Sequence, residues 1–217
     1  MTTAPGTDAD AAAADPGAPP DERGAAFRLR LIEGLAVSIR ERGYRDTTVA
    51  DIVRHAHTSR RTFYAEFPSK DECYVALLYS TNQQIRQRIE SSVDQGAPWR
   101  RQVRQAVQAY VDSVASEPEI TLSWIRELPA LGTLARTIQR EAMDSLTELL
   151  LRLTDTEAFH RAGAGPFTRP AALLLLGGIR ELTATIVEDG GDVRDLTEVA
   201  TNAATAMLAP VSDHGDG

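Results

Sequence analysis

The sequence contains a single cysteine, Cys73, and a single lysine, Lys70, among its 217 residues. One cysteine cannot form a disulfide within the chain, and a protein without disulfides is typical of the reducing cytoplasm. Cys73 lies in a helical pattern, where a small buried hydrophobic residue is more common than a reactive thiol. We therefore expect a cytoplasmic protein in which this thiol has no chemical role.

Long apolar runs are also missing. The longest extends from about Ala171 to Leu176 and ends at Gly177 and Gly178, so it is too short to span a bilayer. The first residues do not combine a basic region with an apolar one, and no signal peptide is expected. The sequence thus predicts no membrane partner.

Catalytic and metal-binding signatures are absent as well. The chain has no Gly-x-Ser-x-Gly, His-Glu-x-x-His, phosphate-loop or dinucleotide motif. Its four histidines do not have the spacing of metal ligands. We expect no catalytic residue, no metal, no cofactor and no enzymatic activity.

Apolar residues recur with helical spacing, and runs of alternating strand residues are not found. The pattern predicts an all-α protein of about nine helices between residues 23 and 210. The segments 1–22 and 211–217 are polar or rich in Ala, Pro, Gly and Asp. Because such composition cannot form a core, they are predicted to be disordered tails.

Charge is distributed unevenly along the chain. The net charge is −8, yet residues 23–72 have a balance of +3, with ten basic and seven acidic residues. The remainder has a balance of −11. A basic segment on an acidic protein would orient its approach to a polyanion, although a solvated helix face often has a similar balance.

The segment from Thr48 to Lys70 predicts a helix-turn-helix. Thr48 and Ser59 are good N-caps for two short helices, and Pro68 and Ser69 precede the start of a longer one. The second helix of such a unit enters the major groove with its N-terminal residues at the base edges. Double-stranded DNA is therefore the predicted partner, and the candidate contacts are Thr48, Ser59, Arg60, Arg61, Thr62, Tyr64 and Lys70.

These side chains suit different parts of DNA. Arg60 and Arg61 can donate two hydrogen bonds to guanine, whereas hydroxyl groups and the Tyr64 phenol can bind phosphates. Lys70 lies in the first turn of a helix, where the helix dipole disfavours a cation. A phosphate partner would explain this position.

Residues from about Phe27 to Leu78 resemble the DNA-binding region of TetR-family repressors. The matching residues are Gly43-Tyr44, Thr47-Thr48-Val49, Ile52, Ala56, Ser59, Thr62-Phe63-Tyr64, Phe67 and Ser69-Lys70. The resemblance implies a three-helix DNA-binding domain at 23–70 and a helical effector-binding and dimerisation domain at 71–210. One departure is His57, which replaces the usual glycine of the turn; it either adopts a positive φ there or faces DNA.

TetR-like proteins form homodimers through their last two long helices. Here these helices are predicted at Ala171–Glu188 and Asp195–Leu208, and the first is apolar on all sides near Leu173–Leu176. A glycine pair in a helix lowers helix stability, and close approach of another backbone is a reason to retain it. We predict an interface that contains Gly177, Gly178, Ile179 and Leu182; the alternative is packing within one chain.

The resemblance also implies a small apolar effector that releases a repressor from a pseudo-palindromic operator. Tyr110, Trp124 and Met143 are the candidate walls of its site, although the same residues could form ordinary core. Two other functions stay open at this point. The chain could be a regulator without a small-molecule inducer, such as an activator or a protein-controlled regulator, or an all-helical enzyme or carrier whose first helices only resemble a DNA reader.

Overall fold

The computed structural model describes residues 20–210, and the side chains of 20–23, 133 and 134 are not considered. All regular structure in this part of the chain is helical, which confirms the all-α prediction. The ten α-helices are α1 (Pro20–Asp46), α2 (Val49–His55), α3 (Arg60–Glu66), α4 (Lys70–Ser92), α5 (Trp99–Ser116), α6 (Pro118–Arg126), α7 (Thr133–Thr154), α8 (Glu157–Arg161), α9 (Arg169–Glu188) and α10 (Leu196–Leu208). Two 3₁₀ turns, Leu128–Leu131 and Val193–Asp195, precede α7 and α10.

The helix prediction differs from the structure in two places. The additional helix is α8, which has only five residues and is too short to show a helical period. Helix α1 begins at Pro20, so 20–22 of the first predicted tail belong to this helix. The rest of that tail and the segment 211–217 lie outside the described residues.

The boundaries of the first helices follow from their caps. Gly43 interrupts α1 with a φ of 79°, a conformation that glycine adopts without strain. Thr48 Oγ1 accepts from the Asp51 backbone N at 3.3 Å, and the Thr48 backbone N donates to Asp51 Oδ2 at 3.0 Å. This reciprocal pair is a capping box that begins α2.

Helices α1 to α4 share one hydrophobic core that continues onto α6 and α7. Leu31, Leu35, Ile52 and Phe63 are fully buried in it. Gly34 allows α1 and α2 to approach closely, since a Cβ atom there would lie 2.6 Å from the Ile52 carbonyl oxygen. The relative position of the first two helices is therefore fixed by close packing.

A second core joins α5 to the last three helices. Its buried members include Val111, Phe159, Ala172 and Leu196. Helix α4 reaches both parts of the molecule, because its first half packs in the first core while Ile89, near its end, packs against α5 and α7. The two parts are thus connected by a continuous helix and not by a linker.

Candidate nucleic-acid interface and effector cavity

Helix α3 has one apolar face and one exposed basic face. Phe63 is fully buried and Phe67, just after the helix, is 1% exposed. The Arg28 guanidinium lies 4.2 Å from the centre of the Phe67 ring and donates to the Glu66 carbonyl at 3.2 Å. These contacts attach α3 to α1 and determine which side of α3 faces outward.

Arg60, Arg61 and Tyr64 lie on the outward side of α3. Residues three and four positions apart share one helix face, and Tyr64 is 58% exposed. Within residues 20–210, neither arginine has a hydrogen bond or an ion pair. Arg54 on α2, by contrast, pairs with Asp51 at 3.2 Å. The two arginines of α3 are therefore free to contact an external anion or base edge.

The hydroxyl groups predicted to bind phosphate already have local partners. Ser59 Oγ accepts from the Thr62 backbone N at 3.1 Å and lies 3.0 Å from Thr62 Oγ1. Thr48 Oγ1 donates to Asp51 Oδ2 at 2.6 Å. These hydroxyls cap α2 and α3, and the caps orient the first turns of both helices.

The turn between α2 and α3 has the predicted unusual backbone conformation. His57 has a φ of 48° and is the one non-glycine residue with positive φ in the described part of the chain. Its side chain is exposed. This confirms that His57 occupies a left-handed turn position. A contact of His57 with DNA stays a prediction.

Lys70, which is predicted to contact a phosphate, already has partners within the chain, and the phosphate contact stays a prediction. Its Nζ donates to the Tyr44 carbonyl at 2.8 Å and to the Thr47 carbonyl at 2.9 Å, with the Arg45 carbonyl at 3.5 Å. It also lies 4.2 Å from the centre of the Tyr44 ring. An ammonium has three donors, and the carbonyls after the break in α1 use them. Lys70 thus stabilises the end of α1, which explains a cation at the start of α4 without any phosphate.

Helix α6 is linked to α1 and α4 by polar contacts. The Arg40 guanidinium donates twice to Glu117, with both distances 2.7 Å, and the Tyr44 backbone N donates to Glu127 Oε2 at 3.2 Å. Glu117 and Glu127 flank the two ends of α6. This short helix is therefore held to α1 at both of its ends.

Two aromatic residues extend the link from α1 to α4 and α6. The rings of Tyr44 and Tyr74 stack with centroids 3.9 Å apart, and the Tyr74 hydroxyl lies 2.6 Å from Ser123 Oγ on α6. The Tyr44 hydroxyl donates to Asp71, and burial together with this hydrogen bond raises the pKa of Tyr44. A displacement of α6 would therefore act on α1 and α4 together.

The predicted wall residues Tyr110, Trp124 and Met143 line one cavity. This effector cavity lies between α4, α5, α6, α7 and α9 and encloses about 70 Å³. A second cavity of about 60 Å³ is lined almost entirely by apolar side chains, and Tyr110, Leu146 and Leu176 border both. The three residues are thus brought together by the fold, and their contact with a ligand stays a prediction.

Sequence reasoning missed the polar residues of the effector cavity, among them Asn82 and Arg180. Asn82 lies on the apolar stripe of α4 that includes Leu78 and Ile85. A polar residue at such a position indicates that its side chain faces inward, and this signal was available in the sequence. Arg180 follows the apolar stretch of α9, but the sequence gives no indication of what its side chain would face.

An apolar face on α9 and α10 is exposed. Leu173, Leu174 and Leu182 are 38%, 72% and 44% exposed on α9, and Val199 and Met207 are 56% and 37% exposed on α10. Gly177 and Gly178 are also exposed, with open space where a Cβ atom would lie. We call this set the apolar face.

Ile179 was wrongly predicted to face a partner. It is only 8% exposed and packs in the core with α5 and α10. A helix that is apolar all round does not reveal from its sequence which side is inward, and this explains the error. Helix α9 has the length and a mean hydropathy of 1.4 that would allow it to cross a membrane, but its inner side packs in this core.

The chain matches a known family and several known structures. Residues 31–77 match the family model described as bacterial regulatory proteins, tetR family. No curated protein matches the chain significantly.

Three solved structures illustrate the similarity of fold. The transcriptional regulator FadR from Bacillus subtilis, in complex with stearoyl-CoA, is 19% identical, with a TM-score of 0.71 over 83% of this chain and 98% of that one. NemR from E. coli in its reduced form is 16% identical, with a TM-score of 0.67 over 86% and 99%. A TetR family transcription regulator from Marinobacter aquaeolei is 18% identical, with a TM-score of 0.62 over 88% and 99%.

At such identities the structural similarity shows the fold, whereas the family match rests on the residues that form α1 to α4. Residues 31–77 thus match the N-terminal region of the tetR family of bacterial regulatory proteins, and together with the shared fold this match supports a DNA-binding transcriptional regulator. The proteins to which the chain is similar are transcriptional regulators and not enzymes.

Proposed function

We propose that this chain is a homodimeric repressor that reads a pseudo-palindromic operator and is released from it by a small apolar effector. The observation that carries the proposal is the exposed face of α3, where Arg60 and Arg61 have no partner within the described residues. Two such helices in a two-fold dimer would lie about one DNA turn apart and insert into successive major grooves.

The arginines of α3 supply base recognition. Each can donate two hydrogen bonds to guanine, and each such contact discriminates by about 1–3 kcal/mol. Tyr64, on the same face, is placed to contact a phosphate and fix the register of α3 in the groove. The basic balance of residues 23–72 on an acidic protein orients the approach.

A second copy of the chain would cover the apolar face. Three leucines of α9 and two residues of α10 are exposed there, and large exposed apolar patches mark interaction sites. Gly177 and Gly178 leave open space into which a partner helix can approach. The predicted interface residues Gly177, Gly178 and Leu182 lie on this face, and Ile179 does not.

The effector would act through α6. Trp124 and Ile125 of α6 line the effector cavity, and the flanking residues Glu117 and Glu127 hold α1. A ligand that displaces α6 therefore alters the position of the DNA-binding helices. The ligand can shift the equilibrium only by its differential affinity for the two states, and a 5–150-fold loss of DNA affinity corresponds to about 1–3 kcal/mol.

The DNA-binding part of the proposal is tested with an operator selected from random duplexes. We expect Arg60→Ala and Arg61→Ala each to weaken binding by about 1–3 kcal/mol and to relax the preference at one base position. Arg101→Ala is the matched control, since Arg101 is an exposed arginine on α5 far along the chain from α3. Equal binding by all three variants and the wild type in a gel-shift titration would refute the assignment of α3.

A further inference from the structure

The effector cavity contains a cation that has no acidic partner. Arg180 is half-buried, and its Nη2 donates to the Ile125 carbonyl at 3.2 Å. Gln139, with its amide oxygen turned toward Arg180, accepts from Nη1 and also from Nη2 at 3.0 Å. Within residues 20–210, no carboxylate lies within ion-pair distance of Arg180. The neighbouring Glu181 instead pairs with Arg126 at 2.9 Å.

Asn82 is a second polar group of this cavity, and it has no partner. The residue is 8% exposed, and its amide makes no hydrogen bond to any of the described residues. Because Asn82 lines the effector cavity, its unused amide donors and acceptor can bind a group that enters there.

The lining of both cavities indicates the charge of that group. Neither lining includes an aspartate or a glutamate. A guanidinium can only donate hydrogen bonds, and an asparagine amide has two N–H donors. Burial lowers the pKa of Arg180, as expected for a cation that lacks a full counter-charge. A negatively charged acceptor would satisfy both residues.

We propose that the effector is an apolar carboxylic acid whose carboxylate is bound by Arg180 and Asn82. The planar guanidinium matches a carboxylate with two parallel hydrogen bonds. The apolar body of the acid lies against Trp124 and Met143 and extends past Tyr110 into the second cavity. This inference rests on the proposed effector function and names the chemical class that the site selects.

The size of the cavities implies that their walls move when the acid binds. Ligand pockets typically enclose about 300–1,000 Å³, whereas these two enclose about 70 and 60 Å³. Met143 is flexible and Leu146 separates the two spaces. Moving these side chains would join the cavities, and pressure on Trp124 would move α6.

The proposal is tested by isothermal titration of the full chain with acids, with the matched uncharged alcohols and with one acyl thioester. The acids are octanoate, decanoate, dodecanoate and phenylacetate, the alcohols are octanol, decanol, dodecanol and 2-phenylethanol, and the thioester is decanoyl-CoA, which lacks the free carboxylate but carries anionic phosphates. We expect at least one acid to bind at least tenfold more tightly than its alcohol, which is about 1.4 kcal/mol. Binding by none of the acids, or equal binding of acid and alcohol, overturns the proposal, as does binding of the thioester alone.

Three variants separate recognition of the carboxylate from a structural effect. Arg180→Met and Asn82→Leu should each weaken the binding acid at least tenfold while the alcohol is unaffected. Because Asn82 has no hydrogen bond to lose, Asn82→Leu should keep the thermal stability of the wild type. Arg140→Met, at an exposed arginine of α7, is the control for loss of charge and should bind the acid normally. Wild-type affinity for the acid in both Arg180→Met and Asn82→Leu contradicts the proposed site.

Failure of this inference can be distinguished from failure of the proposed function. DNA binding is measured on the same protein without acid, using the selected operator. DNA binding without any acid binding removes the carboxylic acid class and leaves the DNA reader intact. Loss of both removes the proposed repressor as well.

Discussion

Replacing Lys70 by methionine should lower the stability of the DNA-binding domain. Methionine retains the length of the side chain but removes the ammonium. The carbonyls of Tyr44 and Thr47 then lose charged donors at 2.8 and 2.9 Å, and the contact with the Tyr44 ring is lost too. Tyr44 and Thr47 lie where α1 ends and α2 begins, so the end of α1 would become less firmly held.

The size of the effect follows from the number and exposure of these contacts. A hydrogen bond from a charged donor contributes about 1.5–3 kcal/mol when it is well shielded. Lys70 is only half-buried, so water can bind the carbonyls in place of the missing ammonium. Burial also lowers the pKa of Lys70, which means that part of the energy of these hydrogen bonds offsets the cost of burying the charge. We therefore expect a total loss of about 2 kcal/mol from the free energy of unfolding. For a chain of this length, such a loss lowers Tm by about 4–8 °C.

The assay is thermal unfolding followed by circular dichroism, together with the salt dependence of operator binding. Arg45→Met is the matched control, because it removes an exposed positive charge from the last turn of α1 and leaves the carbonyls capped. We expect a lower Tm only for Lys70→Met. An unchanged Tm with a salt slope smaller by about one unit would show that Lys70 binds a phosphate, and the structural explanation given above would be wrong.

Three further changes test other parts of the structure. Gly34→Ala should destabilise the fold by about 1–3 kcal/mol in urea unfolding, because its Cβ would lie 2.6 Å from the Ile52 carbonyl oxygen; an increase in stability, as helix propensity alone predicts, would contradict this packing. Leu174→Glu should give a folded monomer in light scattering, whereas Ile179→Glu should fail to fold because that side chain is buried; a dimer of the Leu174 variant would exclude the apolar face as the interface. Burial raises the pKa of Cys73 from 9.0 to about 12, so the folded state favours the neutral thiol. The contribution of this thiol to the free energy of unfolding is therefore complete below pH 9 and is lost as the pH rises to 12, by about 4 kcal/mol at most. The stability difference between the wild type and Cys73→Ala should change over that range, and a constant difference would refute the link.

The sequence predicted the parts of this fold that depend on local chemistry. Caps such as Thr48 and Ser59 begin their helices at the expected positions, because a side-chain oxygen that binds nearby backbone N–H groups acts within one turn. The positive φ of His57 was also predictable, since the turn geometry requires it whatever packs nearby.

The errors arise where a distant part of the chain decides the outcome. The contacts of Lys70 within the chain were not predicted, because the carbonyls that it binds belong to the end of α1 and to Thr47, more than twenty residues away. Ile179 was assigned to the partner because α9 is apolar on several sides and only its neighbours determine which side is inner. That Arg180 and Asn82 line one cavity could not be predicted, because these residues are almost a hundred positions apart in the sequence.

The way in which α6 is attached has a consequence for measurements of DNA affinity in salt. Glu117 pairs with Arg40 at one end of α6, and Arg126 at the other end pairs with Glu181 and Glu188 of α9. These pairs are partly exposed, so dissolved ions screen them as they screen phosphates. Raising the ionic strength thus weakens the ion pairs that hold α6 to α1 and α9, and it also weakens DNA binding. If the proposed effector binds, a salt slope measured with it present will differ from that of the effector-free protein, and the number of phosphate contacts should be read from the effector-free protein alone.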